Sequence, residues 1–200
     1  MPARILALAL AATLLSPLPA AADAKAEQQA LDIAKRAIAF RSVAGPGNQT
    51  PALDEYIKSV LVAGGFSPAD ITVTPVDDTA YLVARWRGSD AKAKPLVISG
   101  HLDVVEAERK DWTMEPFAFN EKDGFFYGRG TQDVKGGAAT LVTALLRMRA
   151  EGITPARDLV LALTSGEEGS CPADPPYPAG CGMSNGVQWL LAHRKDLVDA

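Results

Sequence analysis

Two short apolar runs on either side of one helical stretch constrain this chain more than any other feature. Residues 95–99 (PLVIS) and 159–164 (LVLALT) carry no charge. Continuous apolar runs of that length, without alternation, read as strands buried on both faces. Residues 135–150 between them have helical spacing and open with Gly136 and Gly137. Strand, helix, strand is the order of a βαβ unit, whose crossover makes the two strands parallel and neighbours or near-neighbours. The expected fold class is therefore α/β, with a mixed, largely parallel sheet flanked by helices.

Other elements fall around that unit. Residues 26–40 read as a helix with Leu31, Ala34 and Ile38 on one face. Residues 43–50 (VAGPGNQT) are turn chemistry. Thr50 is placed to cap a second helix, with Pro51 at its first position, Asp54 and Glu55 in its first turn, and Gly64 and Gly65 at its end. Residues 71–76 and 81–86 read as strands, and residues 117–119 and 125–127 as a hairpin. Residues 184–195 read as a last helix.

Residues 1–24 (MPARILALALAATLLSPLPAAADA) have the three parts of a secretory signal peptide. Arg4 supplies the positive start, Ile5 to Leu15 the apolar run, and Ala22-Asp23-Ala24 a small-x-small cleavage site. The apolar run is too short to span a bilayer. Cleavage after Ala24 would leave residues 25–200 as an exported protein, periplasmic or secreted, with no membrane association. A net charge of −4 argues against a strongly basic nucleic-acid binder, and 48% hydrophobic residues argue against a disordered chain. In an oxidising compartment Cys171 and Cys181, bounding CPADPPYPAGC, are candidates for a disulfide, with two free thiols as the alternative.

The polar residues cluster where an open α/β sheet forms its sites, at the carboxyl ends of strands. Residues 95–99 run into Gly100-His101-Leu102-Asp103, and residues 159–164 into Ser165-Gly166-Glu167-Glu168. Asp133 stands just before the helix at 135–150. His101, Asp103, Asp133, Glu167 and Glu168 are thus expected on one edge. So many carboxylates would repel one another, and a divalent cation resolves that repulsion. One imidazole among carboxylates suits zinc, cobalt or manganese better than calcium or magnesium. Asp103, two residues from His101, can accept the other ring N–H of a ligating imidazole. Adjacent Glu167 and Glu168 point different ways in an extended segment, so one can bind metal while the other serves as general base. Each signal is weak alone; His-x-Asp and Glu-Glu are usually ordinary loop or surface residues. No Walker loop is present, and no Gly-x-Ser-x-Gly string directly follows an expected strand as a nucleophile elbow requires.

The strings SGHLDVV, DWTMEPF, GRGTQDVKGG and LTSGEEGS, in this order and spacing, closely resemble the M20 metallopeptidases. These are co-catalytic zinc exopeptidases and amidohydrolases similar to glutamate carboxypeptidase and succinyl-diaminopimelate desuccinylase. The resemblance implies a zinc-peptidase catalytic domain over residues 25–200, as an N-terminal portion without its later strands. The family's smaller inserted domain, which closes over substrate and often dimerises, is also missing. It implies two divalent metals, zinc first, with cobalt or manganese as alternatives. His101 resembles a terminal ligand of one metal, Asp133 the carboxylate bridging both, and Glu168 a ligand of the second. Asp103 resembles the carboxylate that orients His101, and Glu167 the general base. The peptide bond after Asp133 is implied to be cis. The implied reaction is hydrolysis of a peptide or acyl-amide bond in a small peptide or N-acyl amino acid.

Two further ligands of the family, an acidic residue beyond the Glu-Glu pair and a late histidine, have no match in these 200 residues. His193 lies inside an expected helix and is spaced like a packing residue. On this basis the chain alone is expected to bind metal weakly and hydrolyse little. A non-catalytic binding protein that keeps the fold is the alternative.

Overall fold

The computed structural model describes residues 20–169 and 186–199. In chain order the elements are α1 (Ala20–Ile38), α2 (Thr50–Ala63), β1 (Ile71–Val76), β2 (Thr79–Trp86), β3 (Leu96–His101), β4 (Asn120–Lys122), β5 (Phe125–Tyr127), α3 (Lys135–Ala150), β6 (Leu159–Thr164), α4 (Gly186–His193) and α5 (Lys195–Val198). Among the described residues the main sheet has strand order β1-β2-β6-β3. β3 and β6 are parallel neighbours joined through α3, as the βαβ order requires. β1 and β2 extend the sheet antiparallel, which makes it mixed.

The period-two alternation of strands sorts the core into two layers. Leu82, Ala84 and Trp86 of β2 and Leu161 and Leu163 of β6 face one way, against Ile33 and Ala37 of α1, Leu53, Ile57 and Leu61 of α2, and Val142, Leu145 and Leu146 of α3. Tyr81 and Val83 of β2 and Val160 and Ala162 of β6 face the other way, against Leu190 of α4. Burying side chains of this size contributes about 1.5–3 kcal/mol each before the entropy of ordering them is subtracted. No helix among the described residues is long and apolar enough to cross a membrane.

Several sequence expectations need correction. Residues 95–99 were expected to be buried on both faces, yet β3 lies at a sheet edge, with Leu96 51% and Val97 42% exposed. Val97 lines a groove of about 230 Å³ with Ala162, Val187, Leu190 and Leu191, which no described residue fills. Thr50 does not cap α2. Gln49 holds the cap position without a side-chain bond to the helix, while the Thr50 N–H and hydroxyl both donate to Asn48 Oδ1. Asp54 lies beyond the first turn, on the buried face of α2. The hairpin's first strand is Asn120–Lys122 rather than residues 117–119, because Phe119 stacks on Phe126 with ring centroids 4.6 Å apart and pairing starts after it. The helix expected over residues 184–195 is α4, Gly186–His193, and a separate short helix, α5, follows from Lys195. α1 spans Ala20–Ile38, starting ahead of the expected residue 26 and ending before residue 40. Residues 1–19, Cys171 and Cys181 lie outside the described residues.

Candidate metal centre

The parallel register pairs His101 with Thr164, so the two strands deliver their following loops at one end of the sheet. The Leu102 N–H donates to Thr164 O at 2.8 Å and carries the pairing one residue further. Leu102 and Val104 are buried in the core. In an extended segment the residue between them points the opposite way, which places Asp103 toward the loop after β6. There the Glu168 N–H donates to Asp103 Oδ2 at 2.9 Å. Gly166, at φ +84°, makes the turn that brings the loop round.

The third segment arrives at the start of α3. The Asp133–Val134 peptide bond is cis. Gly136 follows in the first turn of the helix, where a Cβ would stand 2.2 Å from Thr131 O. Only glycine lets the chain before the helix pass that close, so Gly136 helps set where Asp133 emerges.

His101 sits at the centre of these segments. Its Nδ1 edge faces Asp103, 3.1 Å from the carbonyl oxygen and 3.4 Å from Oδ1. Its Nε2 edge faces outward, 3.1 Å from Asp133 Oδ1 and 3.8 Å from Glu167 Oε2. The Asp103 side chain is only 5% exposed, whereas that of Asp133 is 72% exposed. The set thus has a buried inner carboxylate and an outer group open to solvent.

The electrostatics follow. The Asp103 carboxylate beside the imidazole raises the His101 pKa to about 9, against burial, which lowers it, with Glu167 adding its charge. Burial pushes the Asp103 carboxyl up, but the bonds from His101 and the Glu168 N–H outweigh it and leave Asp103 below the ordinary carboxylate range. Burial raises Glu168, and the charges of Asp133, Glu167 and Asp103 raise it further. These carboxylates therefore gain from a cation among them.

The donor set of one imidazole nitrogen and several carboxylates fits zinc, cobalt or manganese. The side chains are not gathered into a finished cage. Among the described residues no group of three or more His, Cys, Asp or Glu stands close enough to hold a metal ion. Glu167 and Asp133 both reach His101, and Glu168 is tied to Asp103 through its backbone. His193 lies away from this edge, at the end of α4, its ring stacked on Trp189 at 4.7 Å.

Two buried polar residues behind the site were not singled out in the sequence. Lys135 is fully buried, and its Nζ donates to Phe40 O at 2.7 Å. Burial lowers its pKa to about 7, with the Asp103 charge opposing. Ser42 is also fully buried, and its Oγ donates to Leu102 O at 2.6 Å. A lysine directly ahead of paired glycines at a helix start was the available signal for the first; a lone serine offers none.

Comparison with known proteins agrees with the fold. The chain is 34% identical over 144 residues to the N-formyl-4-amino-5-aminomethyl-2-methylpyrimidine deformylase of Bacillus subtilis, covering 71% of this chain and 33% of that protein. It is 39% identical over 115 residues to a probable succinyl-diaminopimelate desuccinylase of Staphylococcus epidermidis, covering 57% of this chain and 27% of that protein. The chain therefore spans about a third or less of the length of these curated relatives. The crystal structure of human carnosine dipeptidase 1 superposes with a TM-score of 0.64 at 22% identity, covering 90% of this chain and 38% of that one. The family model for peptidase family M20/M25/M40 matches residues 97–200, which hold every segment of the site. With that match over half of its length, the chain belongs to peptidase family M20/M25/M40.

Proposed function

We propose that this chain forms part of an exported, metal-dependent hydrolase of peptide or acyl-amide bonds in small peptides or N-acyl amino acids. The observation that carries the reading is His101 Nε2 held between Asp133 Oδ1 and Glu167 Oε2, with Asp103 behind the ring. Two relatives, by name a deformylase and a desuccinylase, support an N-acyl bond as the target. Residues 1–24 support export through their signal-peptide pattern.

His101, Asp133 and Glu168 would hold divalent ions, zinc first among them. When bound, such ions polarise a carbonyl and acidify a water. Asp103 accepts from the Nδ1 edge of His101, fixes the ring and leaves Nε2 for the metal. Glu167, its side chain half in solvent, is free to take a proton from water and return it to the leaving amine. His101 with Asp133 would hold one ion and Asp133 with Glu168 the other, two ligands for each. Catalytic zinc has about three protein ligands and a water. These 200 residues alone are therefore expected to bind metal weakly and to turn over little or no substrate.

The test is zinc binding by the purified full chain and its His101→Ala and Asp133→Ala variants, followed by assays on dipeptides, N-formyl and N-succinyl amino acids. Zinc uptake that depends on both residues supports the reading. Equal uptake by all three chains removes its basis. Turnover at an ordinary enzymatic rate would overturn the expectation of inactivity.

A further inference from the structure

The residues between α1 and the following turn form a strap whose polar groups are all spent. Phe40 N–H donates to Ala37 O, and Phe40 O accepts from Ser42 N–H at 3.0 Å and from Lys135 Nζ. Arg41 N–H donates to Gln49 Oε1 at 2.7 Å, and Arg41 O accepts from Gln49 N–H at 2.9 Å. Ser42 O accepts from Val104 N–H at 3.0 Å, and Ser42 Oγ donates to Leu102 O at 2.6 Å. Ser42 is fully buried, and with both backbone groups of Phe40, Arg41 and Ser42 paired the segment has little freedom to shift. The strap thus bonds to the first residue of α3, to the residue ahead of α2 and to the loop after β3.

The last of these contacts matters to the site. Ser42 hydrogen-bonds to Leu102 and Val104, the two neighbours of Asp103, rather than to His101 or Asp133. With the Leu102 N–H already given to Thr164 O, both flanks of Asp103 are pinned. Asp103 itself is left to meet His101 on one side and the Glu168 N–H on the other.

We propose that Ser42 is a positioning residue for the metal centre, its hydroxyl fixing the Leu102–Val104 segment so that Asp103 orients His101 and the Glu168 loop. The proposal deepens the metal-hydrolase reading and rests on it for its chemistry. The structural part is measurable without metal.

Ser42→Ala removes one buried hydroxyl and keeps the backbone bond to Val104. Amide hydrogen exchange on the metal-free full chain is the first readout, since local opening and global unfolding separate there. The Glu168 amide in Ser42→Ala is expected to exchange about tenfold faster while the β6 amides of Leu161 and Leu163 stay at wild-type rates. Zinc affinity, by titration against a chelator, is expected to fall about tenfold or more, as when the partner behind a ligand is removed. Ser42→Thr, which keeps the hydroxyl, is expected to restore both. Uniform acceleration of Glu168 and β6 amides, or no change at Glu168, would overturn the proposal and leave Ser42 a packing residue. Failure of the wild-type chain to bind zinc would instead defeat the metal-hydrolase reading, and the exchange pattern would still decide the role of Ser42.

Discussion

The backbone N–H of Glu168 donates to Asp103 Oδ2 at 2.9 Å, across 65 residues of sequence. That bond ties the loop after β6 to the loop after β3, and the same carboxylate holds His101. Asp103 is therefore the group through which the two loops are set relative to each other. Asp103→Ala leaves the Glu168 N–H without its partner and removes the carboxylate 3.4 Å from His101 Nδ1, while the carbonyl oxygen of residue 103 stays on that edge. Zinc affinity is expected to drop about 10- to 100-fold, read by chelator competition. An unchanged affinity would show that the loops hold their places without it.

The metal-free chain should lose stability as pH rises into the alkaline range. The His101 pKa is raised from 6.5 to about 9, so the folded state binds a proton more tightly than the unfolded chain. Its contribution is complete below about 6.5 and disappears as pH climbs through about 9. Denaturant midpoints measured across that window are expected to fall, and His101→Gln is expected to flatten this part of the curve. A wild-type curve with the same slope as the variant would refute the assignment.

Asp54 should add a second, more acidic slope. It is buried on α2, and neither carboxylate oxygen has a hydrogen-bond partner among the described residues. Burial holds its pKa well above 3.8, with the charge of Glu55 adding to the effect. The folded state therefore favours the protonated acid, and stability falls as pH rises from about 3.8 through the raised value. Asp54→Asn is expected to remove this slope and to stabilise the chain near neutral pH by about 1 kcal/mol. A lower melting midpoint for the variant at neutral pH would count against a penalty from the buried, unpartnered Asp54 carboxyl.

Gly136→Ala tests the close approach at the start of α3. The added Cβ would meet Thr131 O at 2.2 Å, and a backbone atom has little room to yield. The cost is expected to be about 1–3 kcal/mol despite the better helix propensity of alanine. Urea unfolding reads it directly; a neutral or stabilising change would mean that the 131–133 segment relaxes freely.

The legible parts of this fold were those set by neighbours in sequence. Leu159–Thr164 and Lys135–Ala150 lie at the expected residues, because a short apolar run and a helical period are local properties. The parallel β3–β6 pair followed from the handed crossover alone. β3 was misjudged for the same reason that it was found. Its apolar composition marks it as a strand, but composition does not say whether a neighbour stands on each side. Asn120 shows the converse. A polar residue starts β4 because its Nδ2 bonds Glu115 O, Ala118 O and Tyr127 O, contacts that no periodicity encodes.

By itself the sequence determined the residue types at the carboxyl ends of two strands and one helix start, and with them the family. The tertiary structure alone decided which atoms face each other. It turned Nδ1 of His101 to Asp103 and Nε2 to Asp133, and it brought Ser42 and Lys135 in behind them. Ser42 contacts Leu102 from 60 residues away, and Lys135 contacts Phe40 from 95. Such partners are chosen by burial, since a polar group taken out of water must find whatever complementary group the packed chain brings within reach.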